Sequence, residues 1–186
     1  GAVNPSGKLP MTFPRSVGQI PLYYNHKNTG RPLDPAKVEK CEYERFRSNY
    51  MDECNTPLYP FGYGLSYSKF GYSDVSVSST NLSGNQTLQA SVTVTNNGNY
   101  DGSEVVQLYI HDVVGGRATR PVKELKGFQK VFLKKGESKK VNFNITPEDL
   151  KYYDNSLKFD WESGDFDIMI GTSSSDLKTT RVNWTK

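Results

Sequence analysis

Few residues in this chain could carry catalytic chemistry. There are two histidines, His26 and His111, far apart in sequence, and two cysteines, Cys41 and Cys54. A zinc centre takes three or four ligands, two of them usually closely spaced, so neither a metal site nor any other cofactor is expected. No G-x-S-x-G elbow, Walker loop or G-x-G-x-x-G is present, and Gly62-Tyr63-Gly64 lacks a third glycine and a following helix. Glycoside hydrolysis needs two carboxylates, one with a raised pKa to act as acid. Asp165 and Asp167 stand two apart on one predicted strand, as do Asp160 and Glu162, so each pair shares an outward face. Nothing local desolvates either pair, and they read as solubilising surface groups. Residues 154–165 fail as a calcium loop on ligand order and on the missing glycine at its sixth position. The expected count of catalytic residues is none.

Two aromatic segments are better equipped for binding. Tyr23-Tyr24 precedes Asn25-His26-Lys27-Asn28-Thr29-Gly30-Arg31, which joins ring faces to amides and a bidentate donor, groups that suit sugar hydroxyls. The same residues also read as an ordinary polar loop. Tyr59-Pro60-Phe61-Gly62-Tyr63-Gly64-Leu65-Ser66-Tyr67 is denser in rings, and its glycines let backbone pass close to them, which favours packing over ligand binding. Cys41 and Cys54 either stay free or close a short loop, lowering its unfolded entropy by about 3 kcal/mol in the chain-entropy picture.

These residues are positioned by a chain that divides near residue 70. Residues 1–69 hold eight of the ten prolines and no sustained periodicity, which rules out a long helix or a central strand. So long an irregular stretch fits a strap lying on another domain. Residues 70–186 alternate. Leu88, Ala90, Val92 and Val94 share one face, and Asn96-Asn97-Gly98-Asn99 turns the chain. Val106, Leu108 and Ile110 point inward, with Gln107 and Tyr109 outward. Gly115-Gly116 breaks the pattern, and residues 122–133 are extended but interrupted at Gly127. Lys134-Lys135-Gly136-Glu137 is a hairpin tip, followed by the inward row Val141, Phe143 and Ile145. Thr146-Pro147-Glu148-Asp149-Leu150 caps one helical turn. Asp154-Asn155-Ser156 is a turn, Phe166, Ile168 and Ile170 form another inward row, and Val182 and Trp184 complete the pattern. About seven short strands with turn signals between them predict an all-β antiparallel sandwich.

Net charge is +3 with both signs interspersed, and the basic residues are not concentrated on one face, so no nucleic-acid partner is expected. No apolar run spans a bilayer. The chain opens on Gly1-Ala2-Val3-Asn4-Pro5 rather than on methionine, so the lack of a leader there carries no information about its native address.

Three groups of motifs occur in register. Gly7-Lys8-Leu9-Pro10-Met11-Thr12-Phe13-Pro14, Pro21-Leu22-Tyr23-Tyr24-Asn25 and the 57–67 segment resemble the C-terminal part of glycoside hydrolase family 3 enzymes of the periplasmic β-glucosidase kind. Val92-Thr93-Val94-Thr95-Asn96-Asn97-Gly98, Gly102-Ser103-Glu104-Val105-Val106-Gln107-Leu108-Tyr109 and Pro121-Val122-Lys123-Glu124-Leu125-Lys126-Gly127-Phe128 resemble the fibronectin type III-like domain of the same enzymes. The resemblance implies an immunoglobulin-like sandwich at 70–186, with residues 1–69 as the tail of the α/β domain and a linker. In the family an aspartate nucleophile and a glutamate acid/base precede the matched segment, and no residue here receives either role. It further implies a non-catalytic module that braces the catalytic domains of its own polypeptide. Tyr24, Asn25, His26, Lys27 and Arg31 would then lie near a β-linked oligosaccharide in the intact enzyme, in a periplasmic or secreted location. An independent carbohydrate-binding module, suggested by the Tyr and Trp content, and a protein-interaction sandwich are the alternatives. Without a neighbour, Leu9, Met11, Phe13, Ile20, Leu22 and Tyr23 face water, fold onto the sandwich or pair with a second copy. Residues 1–35 are accordingly expected to be poorly anchored or dimer-forming, and their deletion nearly neutral.

Overall fold

The computed structural model describes the backbone of all 186 residues and every side chain except those of Pro35 and Glu39. Residues 1–69 hold only a 3₁₀ turn at Val17–Gln19 and the short helix α1 (Pro35–Lys40). Asp34 caps α1 by accepting from the Ala36 amide at 2.8 Å. A disulfide joins Cys41 to Cys54. From Phe70 on, strands dominate: β1 (Phe70–Tyr72), β2 (Ser76–Val77), β3 (Asn81–Ser83), β4 (Leu88–Asn96), β5 (Gly102–Asp112), β6 (Glu124–Leu133) and β7 (Ser138–Ile145). The helical turn α2 (Pro147–Leu150) follows, then β8 (Tyr152–Tyr153), β9 (Phe159–Asp160), β10 (Gly164–Gly171) and β11 (Leu177–Thr185).

Two sheets face each other. In one, β4 pairs with β7 along one edge and with β1 and β2 along the other; the second runs β3-β11-β10-β5-β6, and only β3 and β11 are parallel. Between them lie the rows expected from alternation: Leu88, Ala90, Val92 and Val94; Val106, Leu108 and Ile110; Val141, Phe143 and Ile145; Phe166, Ile168 and Ile170. Val182 and Trp184 complete this core, and Trp184 meets Trp161 edge to face at 6.2 Å. Both tryptophans are buried, so the Trp content that suggested a carbohydrate-binding surface belongs to the core.

Three local expectations need correction or refinement. The 134–137 turn forms, with Gly136 at φ 76° and the Glu137 amide donating to the Lys134 carbonyl at 2.9 Å. It joins strands in different sheets, however, because it is bonded to the end of β4: the Gly136 amide donates to Asn96 O at 2.9 Å. Strand β6 is not interrupted at Gly127. Leu108 pairs with Gly127 and Tyr109 with Leu125, so Lys126 is the extra residue of a bulge. Gln107 and Tyr109 do point away from the core, yet both are buried, because residues 1–69 cover that face.

The covering is specific. Tyr24 stacks on Phe61 at 4.3 Å and meets the Tyr109 ring edge to face at 5.7 Å. Gln107 Nε2 donates to the carbonyls of Gly62 and Thr172 at 3.1 and 2.7 Å, and its Oε1 accepts from Tyr109 OH at 2.6 Å. Farther along, Lys8 Nζ lies 3.1 Å from buried Glu104, which also accepts from Thr172 Oγ1 at 2.6 Å and Tyr72 OH at 3.0 Å. The Val122 amide donates to His26 O at 2.9 Å, and Ser174 N to Phe61 O at 2.9 Å. Residues 1–35 are therefore not poorly anchored. Deleting them removes the counter-charge of buried Glu104, a loss on the scale of about 3–5 kcal/mol. Of the six apolar side chains expected to be stranded, Leu9 and Leu22 are half-buried, whereas Met11, Phe13, Ile20 and Tyr23 face water.

Gly62 sits at φ 78°, and a Cβ there falls 2.0 Å from Gln107 Oε1. Gly62→Ala is expected to cost about 1–3 kcal/mol through left-handed strain and displacement of Gln107, and to speed trypsin cleavage within residues 1–35. Unchanged urea midpoint and cleavage rate would contradict the docking.

Candidate functional site

The structure divides the five strap residues expected near substrate. Tyr24 turns into the sandwich, its ring held by Phe61 and Tyr109 and its hydroxyl accepting from the Leu125 amide at 3.3 Å. Asn25, His26, Lys27 and Arg31 are exposed. Their backbone is fixed: Lys27 forms an antiparallel bridge with Pro121, and the Ser48 amide donates to Arg31 O at 2.9 Å. The strap tip is thus held at the 113–123 loop, which connects β5 to β6.

A charged network underlies that loop, and sequence spacing gave no sign of it. Asp112, the last residue of β5, is buried, with Arg120 Nε at 3.6 Å from its carboxylate. Arg120 Nη2 donates to Glu124 at 3.0 Å, and its guanidinium lies 3.8 Å from the Tyr152 ring centroid. Tyr152 OH donates to Glu162 at 2.5 Å, and the Gly116 amide donates to the same carboxylate at 2.8 Å. Burial pushes the Tyr152 hydroxyl up to about 12, helped by its bond to Glu162. Burial would raise Glu162 as well, but the Tyr152 hydroxyl and the Gly116 and Arg117 amides outweigh it, and Glu162 titrates below its usual range. Asp112 goes the other way: burial raises it more than Arg120 lowers it. The acidic pairs read from the sequence are occupied. Arg181 holds Asp167 in a two-pronged bridge at 2.7 and 3.0 Å, and Asn183 donates to Asp165 at 2.7 Å. Lys186 and Lys158 flank Asp160, which lies well below the carboxylate range chiefly through its bond to Lys186.

Above the network lies an open cleft of about 550 Å³, lined by Asn28 of the strap, His111, Arg117, Thr119 and Asn155. Among the described residues no group of three His, Cys, Asp or Glu side chains could hold a metal ion. The arrangement has counter-charges and hydrogen-bond donors, but its one carboxylate with a raised pKa faces an arginine rather than an open substrate position.

Arg120 neutralises Asp112, so Arg120→Met is expected to lower stability by about 3–5 kcal/mol, the usual result of unpairing a buried charge. Because Asp112 is raised in the fold, its charged form costs stability above that pKa, and the cost disappears as pH falls through it. Arg120 keeps Glu124 at 3.0 Å when Asp112 is neutralised, so Asp112→Asn, unlike Arg120→Met, should be neutral or stabilising at neutral pH and lose any advantage in acid. Urea midpoints across pH check both variants; a large loss on Asp112→Asn at neutral pH would contradict this account.

Residues 1–67 match the glycosyl hydrolase family 3 C-terminal domain and residues 104–174 the fibronectin type III-like domain. The periplasmic β-glucosidase of Salmonella typhimurium is 52% identical over 96% of this chain, which covers 22% of that protein. A β-xylosidase of Formosa agariphila is 40% identical over 98% of the chain, covering 24% of the relative. The crystal structure of the Listeria innocua β-glucosidase with gluconolactone superposes with a TM-score of 0.92 at 44% identity, over all of this chain and 25% of that one. The chain thus spans a quarter or less of the length of these relatives. It is a C-terminal piece of a glycoside hydrolase family 3 protein, joining sequence of that family's C-terminal domain to a fibronectin type III-like β-sandwich.

Proposed function

We propose that this chain is the non-catalytic bracing module of a periplasmic or secreted β-glycosidase, with residues 1–69 as the tail of an α/β domain and residues 70–186 as the sandwich that stiffens it. The observation that carries this reading is the uneven burial of the strap. One face is fastened to the sandwich through Tyr24, Phe61 and Lys8. The rest of the strap leaves apolar groups uncovered: among the described residues, thirteen of the twenty large apolar side chains exposed to solvent lie in residues 1–67, including Met11, Phe13, Ile20, Phe46 and Met51. So many exposed apolar side chains within about one third of the chain point, in this reading, to a contact surface. Its occupant in this reading is the catalytic part of the same polypeptide; in the relatives three quarters or more of the length lies outside the matched segment. Asn25, His26, Lys27 and Arg31, displayed at the strap tip, then border the substrate channel with polar donors and acceptors.

The relatives include a β-glucosidase and a β-xylosidase, and the sugar preference of this protein lies with residues outside the chain. The purified chain is expected to release no chromophore from aryl β-glucosides or aryl β-xylosides. Joining it to its upstream polypeptide is expected to raise the thermal midpoint above that of the upstream part alone. Turnover by the isolated chain above an inert protein control, or an unchanged midpoint on joining, would overturn the proposal.

A further inference from the structure

The cleft between the strap tip and the 113–121 loop is formed by three segments distant in sequence, and bracing does not use it. Its volume of about 550 Å³ falls within the range typical of small-molecule sites, roughly 300–1,000 Å³. Its charge is largely cancelled from within: Arg120 at its floor is matched by Asp112 at 3.6 Å and Glu124 at 3.0 Å. The lining is mostly amide, imidazole, hydroxyl and guanidinium, with Val113, Val114 and Ala118 as the apolar side chains.

Hydrogen-bonding capacity is left over. Among the described residues, the Thr119 hydroxyl has no protein partner. The Asn28 side chain has only the Gly30 amide, at 3.4 Å on its oxygen. Asn155 donates from Nδ2 to Arg117 O at 3.0 Å, which leaves its own oxygen free. Arg117 reaches its two carboxylates only at 4.0 and 3.9 Å with its side chain half exposed. Donors and acceptors thus stand together on a concave surface of little net charge. A ligand that satisfies both kinds at once carries hydroxyl groups, each of which donates and accepts.

The loop is also fixed in advance. The Val113 amide donates to Asp165 O at 3.0 Å, the Gly116 amide to Glu162 at 2.8 Å, and the Val122 amide to the strap's His26 O at 2.9 Å. Fixing the loop beforehand lowers the entropy lost on binding.

We propose that this cleft binds a neutral β-linked oligosaccharide, with Asn28, Arg117 and Asn155 hydrogen bonding to its hydroxyls. That the polyhydroxylated ligand is a saccharide rests on the assignment to a β-glycosidase; the leftover hydrogen-bonding capacity does not.

The test is titration of the ¹⁵N-labelled chain with cellotetraose, and in parallel with sodium sulfate, followed by amide shifts. Cellotetraose is expected to move the Asn28, Gly115, Gly116, Arg117 and Asn155 amides saturably, with a Kd of about 0.1–10 mM. Asn28→Ala and Arg117→Ala, both at exposed positions, are each expected to weaken binding about tenfold or more, roughly 1.4 kcal/mol, with the rest of the spectrum unchanged. No saturable shift, equal binding by the variants, or shifts with sulfate alone would overturn the proposal. Turnover of an aryl glycoside by the chain would sink the bracing assignment and leave this binding result standing.

Discussion

The rest of the molecule depends on the burial of the outer face of β5. A sandwich strand ordinarily gives one face to the core and the other to water. Here Gln107 and Tyr109 face away from the core and are still sealed, by Tyr24, Phe61 and the Gly62 peptide. Burying an amide is tolerable only if its bonds are made. Gln107 meets this by donating to two carbonyls, one from the strap and one from the sandwich, while Tyr109 donates to its oxygen. Without the strap, Gln107 would lose one acceptor and Tyr109 its ring contact. Burial there raises the Tyr109 hydroxyl above its ordinary value.

Two further ties extend from this contact. Toward one end, Lys8 reaches Glu104, where Tyr72 and Thr172 complete the carboxylate's bonding. Toward the other, the strap pairs with Pro121 and Val122, near the end of the loop that Arg120 and Glu162 hold down. The tip residues Asn25 to Lys27 and the cleft beside them are placed by the same attachments. A buried ion pair adds little net stability but is costly to break; Lys8–Glu104 and Arg120–Asp112 therefore act more as conditions on the docked arrangement than as sources of its stability.

Much of the sandwich was legible because period-two alternation is a local signal: Val92, Leu108, Phe143 and Ile168 could be placed from their neighbours alone. The turns followed from Asn96-Asn97-Gly98 and Gly136, whose conformations side-chain chemistry dictates. The pairing of β7 with β4 rather than β6 was not legible, because a tight turn does not say which sheet the next strand joins. The burial of Gln107 and Tyr109 was hidden for a similar reason, since their partners lie 45 or more residues upstream. The Asp112–Arg120–Glu162 network was equally hidden. Its members sit on a strand end, a loop and a segment after a hairpin, and no spacing rule connects them. One signal for the docked strap was available: glycine at Gly62 between aromatics, read as close passage of backbone past a ring, where it admits a glutamine.

Whether strap and sandwich form one cooperative unit is tested most directly by native-state hydrogen exchange of the intact chain. The amides of Gly62, Val122 and Ser174, which donate to Leu9, His26 and Phe61, span strap contacts or the boundary between strap and sandwich. If the buried face of β5 holds the molecule together, Val122 and Ser174 will open with the same free energy and denaturant dependence as the β5 amides paired to β10. Exchange of those amides through a low-energy opening that leaves β5 fully protected would contradict that account.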